Sequence, residues 1–177
     1  MSILTGPEIQ NQLGRRRLTL APFDEDHLNP NSYNLAVGPT LLHYTDEVLD
    51  TRRANSFTTV EIPPEGYVLQ PNRIYLGASV EVVGSDFYVP IIRSRSGAAR
   101  LGAFVHVTAD LIDQGSLGQT TFQFHAVQPL RIYAGDRLAQ ITFWRTFGRP
   151  LLYTGKYQGS QGPQPSQIHR DRLEVAA

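Results

Sequence analysis

Gln119-Thr120-Thr121-Phe122-Gln123-Phe124-His125-Ala126-Val127 is the stretch on which the fold reading turns. Gln119, Thr121, Gln123 and His125 alternate with Phe122 and Phe124, the period of two that a β-strand imposes on its side chains. One face is apolar enough to be core, and the other faces solvent or a site. Outward from this strand the pattern recurs in short runs rich in Val, Ile, Tyr and Phe. Tyr67 to Leu69, Ile74 to Val83, Phe87 to Ile92, Phe104 to Thr108 and Arg137 to Trp144 all read this way. Twelve prolines and fifteen glycines punctuate the chain. Such spacing predicts an all-β sandwich or jelly roll, not βαβ units. No internal repeat is visible.

One opening segment reads as helix. Thr5 and Glu8 have capping-box spacing, Pro7 suits the first turn, Ile9 and Leu13 share a face, and Gly14 ends it. Arg15 to Arg17 then read as a solvated run.

At 177 residues, 41% hydrophobic and 18% charged, the chain suits a single globular domain. Sixteen basic and sixteen acidic residues cancel, so no global field draws it to nucleic acid or an anionic membrane. The absence of cysteine excludes disulfides, a thiol nucleophile and the zinc route to base deamination, which needs Cys ligands beside a His. No apolar run approaches the ~20 residues of a membrane span. Met1 to Leu13 lacks the order of a signal peptide, so the expected location is cytoplasmic.

Three clusters carry chemistry. Arg93-Ser94-Arg95-Ser96-Gly97-Ala98-Ala99-Arg100 combines Arg forks, hydroxyls and a glycine, which suit phosphate oxygens or make a basic surface turn. Asp110 and Asp113, near Gly115 at a strand end, can orient a water, meet a metal or simply form Asx turns. A strand period puts these two carboxylates on opposite faces. Beyond Gly148 the composition shifts to Gly, Gln, Pro and Ser, too poor in apolar residues to pack a core. This tail is expected to be disordered, or ordered by a ligand or a neighbour, with Lys156-Tyr157-Gln158-Gly159-Ser160-Gln161-Gly162 able to close as a lid.

Arg95-Ser96, Ala99-Arg100-Leu101-Gly102, Val105-His106-Val107-Thr108-Ala109, Ile112-Asp113, Gly115 and Gly118 together resemble the central signature of the deoxycytidine triphosphate (dCTP) deaminase family, within the dUTPase superfamily. Asn29-Pro30-Asn31-Ser32-Tyr33-Asn34-Leu35 is similar to its N-terminal signature, with Asn34 where Asp is more usual. Leu69-Gln70-Pro71, Val127-Gln128-Pro129, Gly135-Asp136-Arg137-Leu138-Ala139-Gln140 and Gly155-Lys156-Tyr157-Gln158 extend the likeness in order from about Ile3 to Asp171.

The resemblance implies a distorted jelly roll with one short N-terminal helix, assembled as a homotrimer with sites between subunits. Residues 1–148 would form the β domain, and 149–177 a tail closing over the nucleotide. The ligand would be a pyrimidine deoxynucleoside triphosphate (dCTP, dUTP or dTTP) carrying Mg2+, with no metal ligated by the protein alone. Ser96, Arg100 and Asp113 are the implied catalytic residues, with Arg95 and Gly97 beside the phosphates. Val107, Thr108, Ala109, Asp110 and Leu111 would line base and sugar. Asp136, Gln140, Tyr153, Lys156 and Gln161 are further candidates for triphosphate or tail contacts.

One departure bears on activity. The family places a catalytic Glu ten residues after the Asp of its Ile-Asp pair, and here that residue is Gln123. A carboxylate there can accept a proton from water, whereas an amide of similar size cannot. Gln123 is then an introduced isosteric replacement, the mark of a relative that has given up deamination, or a sign that Asp110 has taken over. Gly97 also replaces a common Ser, Ser116 stands where relatives carry an aromatic ring, and Leu111 replaces a polar residue of some members. The functions implied are deamination of dCTP to dUTP for dUMP and dTTP supply, dUTPase-type pyrophosphate release through an Asp113-activated water, or silent nucleotide binding.

Overall fold

The computed structural model describes residues 2–106 and 108–172. Its larger antiparallel sheet runs β5 (Phe57–Glu61), β4 (Val37–Tyr44), β7 (Tyr75–Gly84), β10 (Leu117–Ala126) and β9 (Ala103–Phe104), with β1 (Thr19–Ala21) also on β7. A second sheet orders β2 (Leu28–Asn29), β3 (Ser32–Leu35), β12 (Ala139–Trp144) and β8 (Val89–Ser94). The strands β6 (Tyr67–Leu69) and β11 (Leu130–Ile132) form a separate pair. The core lies where the two main sheets face each other. Leu41, Tyr75, Phe122 and Phe124 of the larger sheet share one buried cluster with Tyr33, Leu35, Ile92, Ile141 and Phe143 of the other. Each such side chain contributes roughly 1.5–3 kcal/mol on leaving water. The all-β expectation holds, and no helix among the described residues is long and apolar enough to cross a membrane.

Several local expectations shift. The run Phe104 to Thr108 leaves the sheet after Phe104, where the Val105 N–H turns to donate to Ser94 Oγ (2.9 Å). A short helix, α2 (Ser96–Arg100), replaces the expected turn, because the Arg95 carbonyl accepts from the Ala99 N–H (3.0 Å). The N-terminal helix α1 (Gly6–Gly14) forms without its capping box. Thr5 makes no side-chain cap bond, and the Glu8 carboxylate instead accepts from the Asn11 and Gln12 amides one turn on. The Gly6 N–H is satisfied by the Pro30 carbonyl (2.9 Å). Arg15 to Arg17 are exposed, as read.

A buried carboxylate ties the two sheets. Glu81 on β7 is 2% exposed and accepts from the Ala36 N–H at the end of β3, with His27 Nδ1 3.7 Å away. Burial pushes its carboxyl above the usual range, opposed in part by backbone N–H groups and by His27. The folded protein therefore holds this proton more tightly than the unfolded chain does. That contribution is complete below the ordinary value of 4.5 and fades as pH rises through the raised folded value. Glu81→Gln should flatten this limb of the stability profile, measured as urea midpoints between about pH 4.5 and 7. A limb unchanged in the variant would assign the dependence to other groups.

Candidate functional site

The polar face of β10 forms one wall of a cavity of about 500 Å³. Gln123 pairs in register with Leu76 of β7, and both line it. The β7–β10 register slips between Gln119 and Thr121, and the Thr120 N–H in the slip donates to Ser79 Oγ (2.9 Å). This bulge presents Gln119, Thr120 and Thr121 together to the cavity, the kind of re-aiming that bulges serve near functional sites. A second wall is the 106–116 segment, which contributes His106, Ala109, Ile112 and Ser116. The Gln123 N–H donates to the Val105 carbonyl (2.8 Å), so this segment starts at the backbone of Gln123. Tyr44 and Ile74 close the far side.

The fourth wall is the tail. The Gln119 N–H donates to the Ser160 carbonyl (2.8 Å), the Gly159 N–H to the Leu117 carbonyl (2.8 Å), and the Gly162 N–H to Gln119 Oε1 (2.7 Å). Gln158 donates to the Gly115 carbonyl and accepts from the Leu117 N–H (2.9 Å each). The Gln164 N–H reaches Thr121 Oγ1 (3.1 Å), and the Ser166 N–H reaches the Tyr44 hydroxyl (2.7 Å). Apolar content is thus a poor guide to this segment: backbone polar groups lay it along β10 of its own chain. Two glycines permit the approach. Gly115 has φ +90° and would press a Cβ against Leu152, while a Cβ on Gly118 would lie 2.8 Å from the Ser160 nitrogen.

The predicted residues divide. Gln123 and Ala109 line the cavity, whereas Thr108, Asp110, Leu111 and Asp113 are not among its lining residues. Residues 108–113 form no regular strand: Leu111 makes an isolated bridge to Ile91, and Asp110 turns to Arg93 (3.9 Å). Asp113 is exposed between the lining residues Ile112 and Ser116. Val107 lies outside the described residues.

Ser96, Gly97 and Arg100 are exposed on α2, away from this cavity, with Arg100 donating to the Ser96 carbonyl (3.2 Å). Arg95 donates to the Arg137 carbonyl (2.9 Å). The Gln140 amide bridges Ser32 (3.0 Å) and the Ser94 carbonyl (3.3 Å) inside the smaller sheet. Asp136 accepts from the Tyr133 N–H (2.9 Å) in a local turn. In the tail, Tyr153 accepts from the Tyr157 N–H (3.0 Å), Lys156 pairs with Asp171, and exposed Gln161 offers its carbonyl to Gln164 (2.7 Å).

Sequence reasoning missed Tyr44, Ile74 and Leu76, which only strand pairing brings near Gln123. It quoted His106 within a signature without giving it a role. His106 Nδ1 is buried and has no hydrogen-bond partner among the described residues. Burial pushes this imidazole below its ordinary value, opposed by the Ala109 carbonyl and the Asp110 charge. Among the described lining residues there is no Asp, Glu, Lys or Arg. The cavity therefore suits an uncharged ring and sugar far better than a bare triphosphate.

The dCTP deaminase-like family model matches residues 3–146. This chain belongs to that family. It is 42% identical over 170 residues to "dCTP deaminase, dUMP-forming" of Clostridium acetobutylicum, covering 96% of this chain and 98% of the relative. A Leptospira biflexa protein of the same name is also 42% identical, covering 96% and 97%. Among solved structures, 2'-deoxycytidine 5'-triphosphate deaminase from Agrobacterium tumefaciens shares the fold with a TM-score of 0.63 at 21% identity. That likeness covers 80% of this chain, which spans about half, 47%, of that longer one.

Tail docking in this family member has a direct reporter, the Gln119 N–H that Ser160 covers. Gly118→Ala should displace the tail by steric contact while the β domain stays folded. Faster hydrogen exchange at Gln119 with an unchanged circular dichroism spectrum is the expected result. Unchanged exchange at Gln119 would show that the tail does not protect it.

Proposed function

We propose that this chain is a dCTP deaminase of the dUMP-forming kind, removing ammonia from the cytosine ring and pyrophosphate from the nucleotide. The observation that carries the reading is Gln123, at the position of the family's carboxylate, standing in the wall of a neutral cavity sized for a nucleoside. The name shared by the relatives favours dUMP over dUTP as the product released. Asp113, between two lining residues, is the candidate to orient the water that releases pyrophosphate.

The charged half of the ligand needs cations that the described cavity walls lack. Arg95, Ser96, Gly97 and Arg100 supply the matching chemistry from a neighbouring copy, in a homotrimer whose sites lie between subunits. Exposed Leu101 (58%) and Phe104 (46%) beside α2 support a covered face there. Lys156, close to Tyr157 of the lining, would exchange Asp171 for phosphate when a triphosphate binds. No three of His, Asp and Glu converge to hold a metal among the described residues. Mg2+ would then enter with the triphosphate, ligated by its oxygens and water, where it neutralises phosphate charge.

A second reading, a silent nucleotide binder, is favoured by the lack of any carboxylate among the described lining residues. Incubation with dCTP and dUTP separately, following ammonia and pyrophosphate, tests both. Ammonia from dCTP supports the deaminase, and binding without either product supports the silent reading. Gln123→Glu should raise ammonia release at least ~10²-fold, since it supplies a positioned general base. No gain with dCTP would remove position 123 as the place where this site needs a general base.

Arg100→Ala should weaken triphosphate affinity while leaving nucleoside affinity intact, because a charge-assisted bond contributes ~1.5–3 kcal/mol. Equal losses for the two ligands, compared by calorimetry, would remove Arg100 from phosphate recognition.

A further inference from the structure

We propose that His106 is a catalytic residue of this site, the group that takes and returns the proton moved during deamination. The inference rests on the deaminase reading above. The cavity's titratable groups among the described residues are His106, Tyr44 of β4 and Tyr157 of the tail. Of these, only an imidazole both accepts and releases a proton near neutral pH. Among the described residues its buried Nδ1 has no hydrogen-bond partner, and the ring lines the cavity beside Ala109, whose carbonyl favours a proton on it. The hydrogen bond from the Gln123 N–H to the Val105 carbonyl sets His106 one residue from Gln123's own backbone contact.

The surroundings favour a neutral ring. Burial lowers its proton affinity, and the Ala109 carbonyl and Asp110 only partly oppose this. Asp110 is itself paired with Arg93 of β8, and β10 faces the cavity with uncharged Gln119, Thr120, Thr121 and Gln123. A neutral imidazole carries a free lone pair for a water proton. The Gln123 amide cannot relay that proton, but it can donate to or accept from the edge of the base and hold it in place.

The step balances. The water oxygen bonds to C4 while the C4–N3 π pair moves to N3, and His106 passes one water proton to N3. The remaining hydroxyl proton travels through the same imidazole to the amino nitrogen. The C4–N4 bond then breaks with its electron pair on nitrogen, ammonia leaves, and C4=O forms. Water supplies both protons, and His106 ends neutral.

The test compares the full-length protein with His106→Gln and with His106→Gln/Gln123→Glu. Ammonia release from dCTP with Mg2+ is followed across about pH 5 to 8, alongside dCTP affinity. The expected wild-type rate rises with pH through an apparent pKa below the free-imidazole value of ~6.5. His106→Gln should lose ~10²–10⁴-fold in rate and lose that limb, with dCTP affinity kept. The double variant should regain rate through its carboxylate.

An active wild type with an unaltered His106→Gln rate and profile overturns this inference alone. A wild type that binds dCTP and releases no ammonia overturns it together with the deaminase reading. Should His106→Gln fail to fold, the imidazole 15N shifts of His106 in the unaltered protein decide. Titration below ~6.5 and a change on adding dCTP are expected, and shifts indifferent to dCTP overturn the proposal.

Discussion

The pairing of β10 with β7 is the constraint on which the cavity depends. Phe122 and Phe124 are 0% and 1% exposed, and a strand cannot bury them without turning Thr121, Gln123 and His125 the other way. A slip of one residue would expose two phenyl rings and bury amides, at a cost of several kcal/mol. Gln123 is therefore held in place by side chains on the opposite face of its own strand. The slip between Gln119 and Thr121 is confined to the end where the tail docks, so the register around Gln123 stays regular.

Charge is partitioned across the molecule in a way that fits the proposed chemistry. The described cavity walls carry hydroxyls, amides, aromatic rings and one histidine, while Arg100 on α2 and Arg93 on β8 sit outside. A pyrimidine ring needs directional hydrogen bonds in a place of low polarity. A triphosphate needs cations with access to water and Mg2+. One subunit offers both sets of groups on different surfaces, and the proposed function would have assembly bring them to one ligand. The neutral cavity also strengthens any proton transfer within it, since few competing charges shift the groups that remain.

Glu81 and the tail illustrate how polar groups hold this fold where apolar contacts do not reach. The buried Glu81 carboxyl accepts from the Ala36 N–H, with His27 nearby, which links β7 to the chain where β3 of the other sheet passes into β4. The tail docks through a ladder of backbone N–H and carbonyl groups against Leu117, Gln119 and Thr121. Each such bond adds only about 1 kcal/mol net, so the tail's hold comes from their number and from the glycines that allow contact.

The all-β class, the two faces of β10 and the family were legible in the sequence, because a period of two and ordered motifs are local properties of the chain. The capping box failed since Glu8 had nearer amide partners one turn on, which spacing alone does not reveal. Asp110 and Asp113 could not be placed from strand periodicity because the chain leaves the larger sheet after Phe104. Tyr44, Ile74 and Leu76 meet Gln123 only through pairing between strands distant in sequence. His106 stands out only through burial: an imidazole is an ordinary letter until the fold lowers its access to water and, among the described residues, leaves its Nδ1 without a partner. Local pattern determined which side chains face together along each strand, while tertiary structure decided which of those faces enclose one cavity, because enclosure and desolvation arise only when separate segments close on each other.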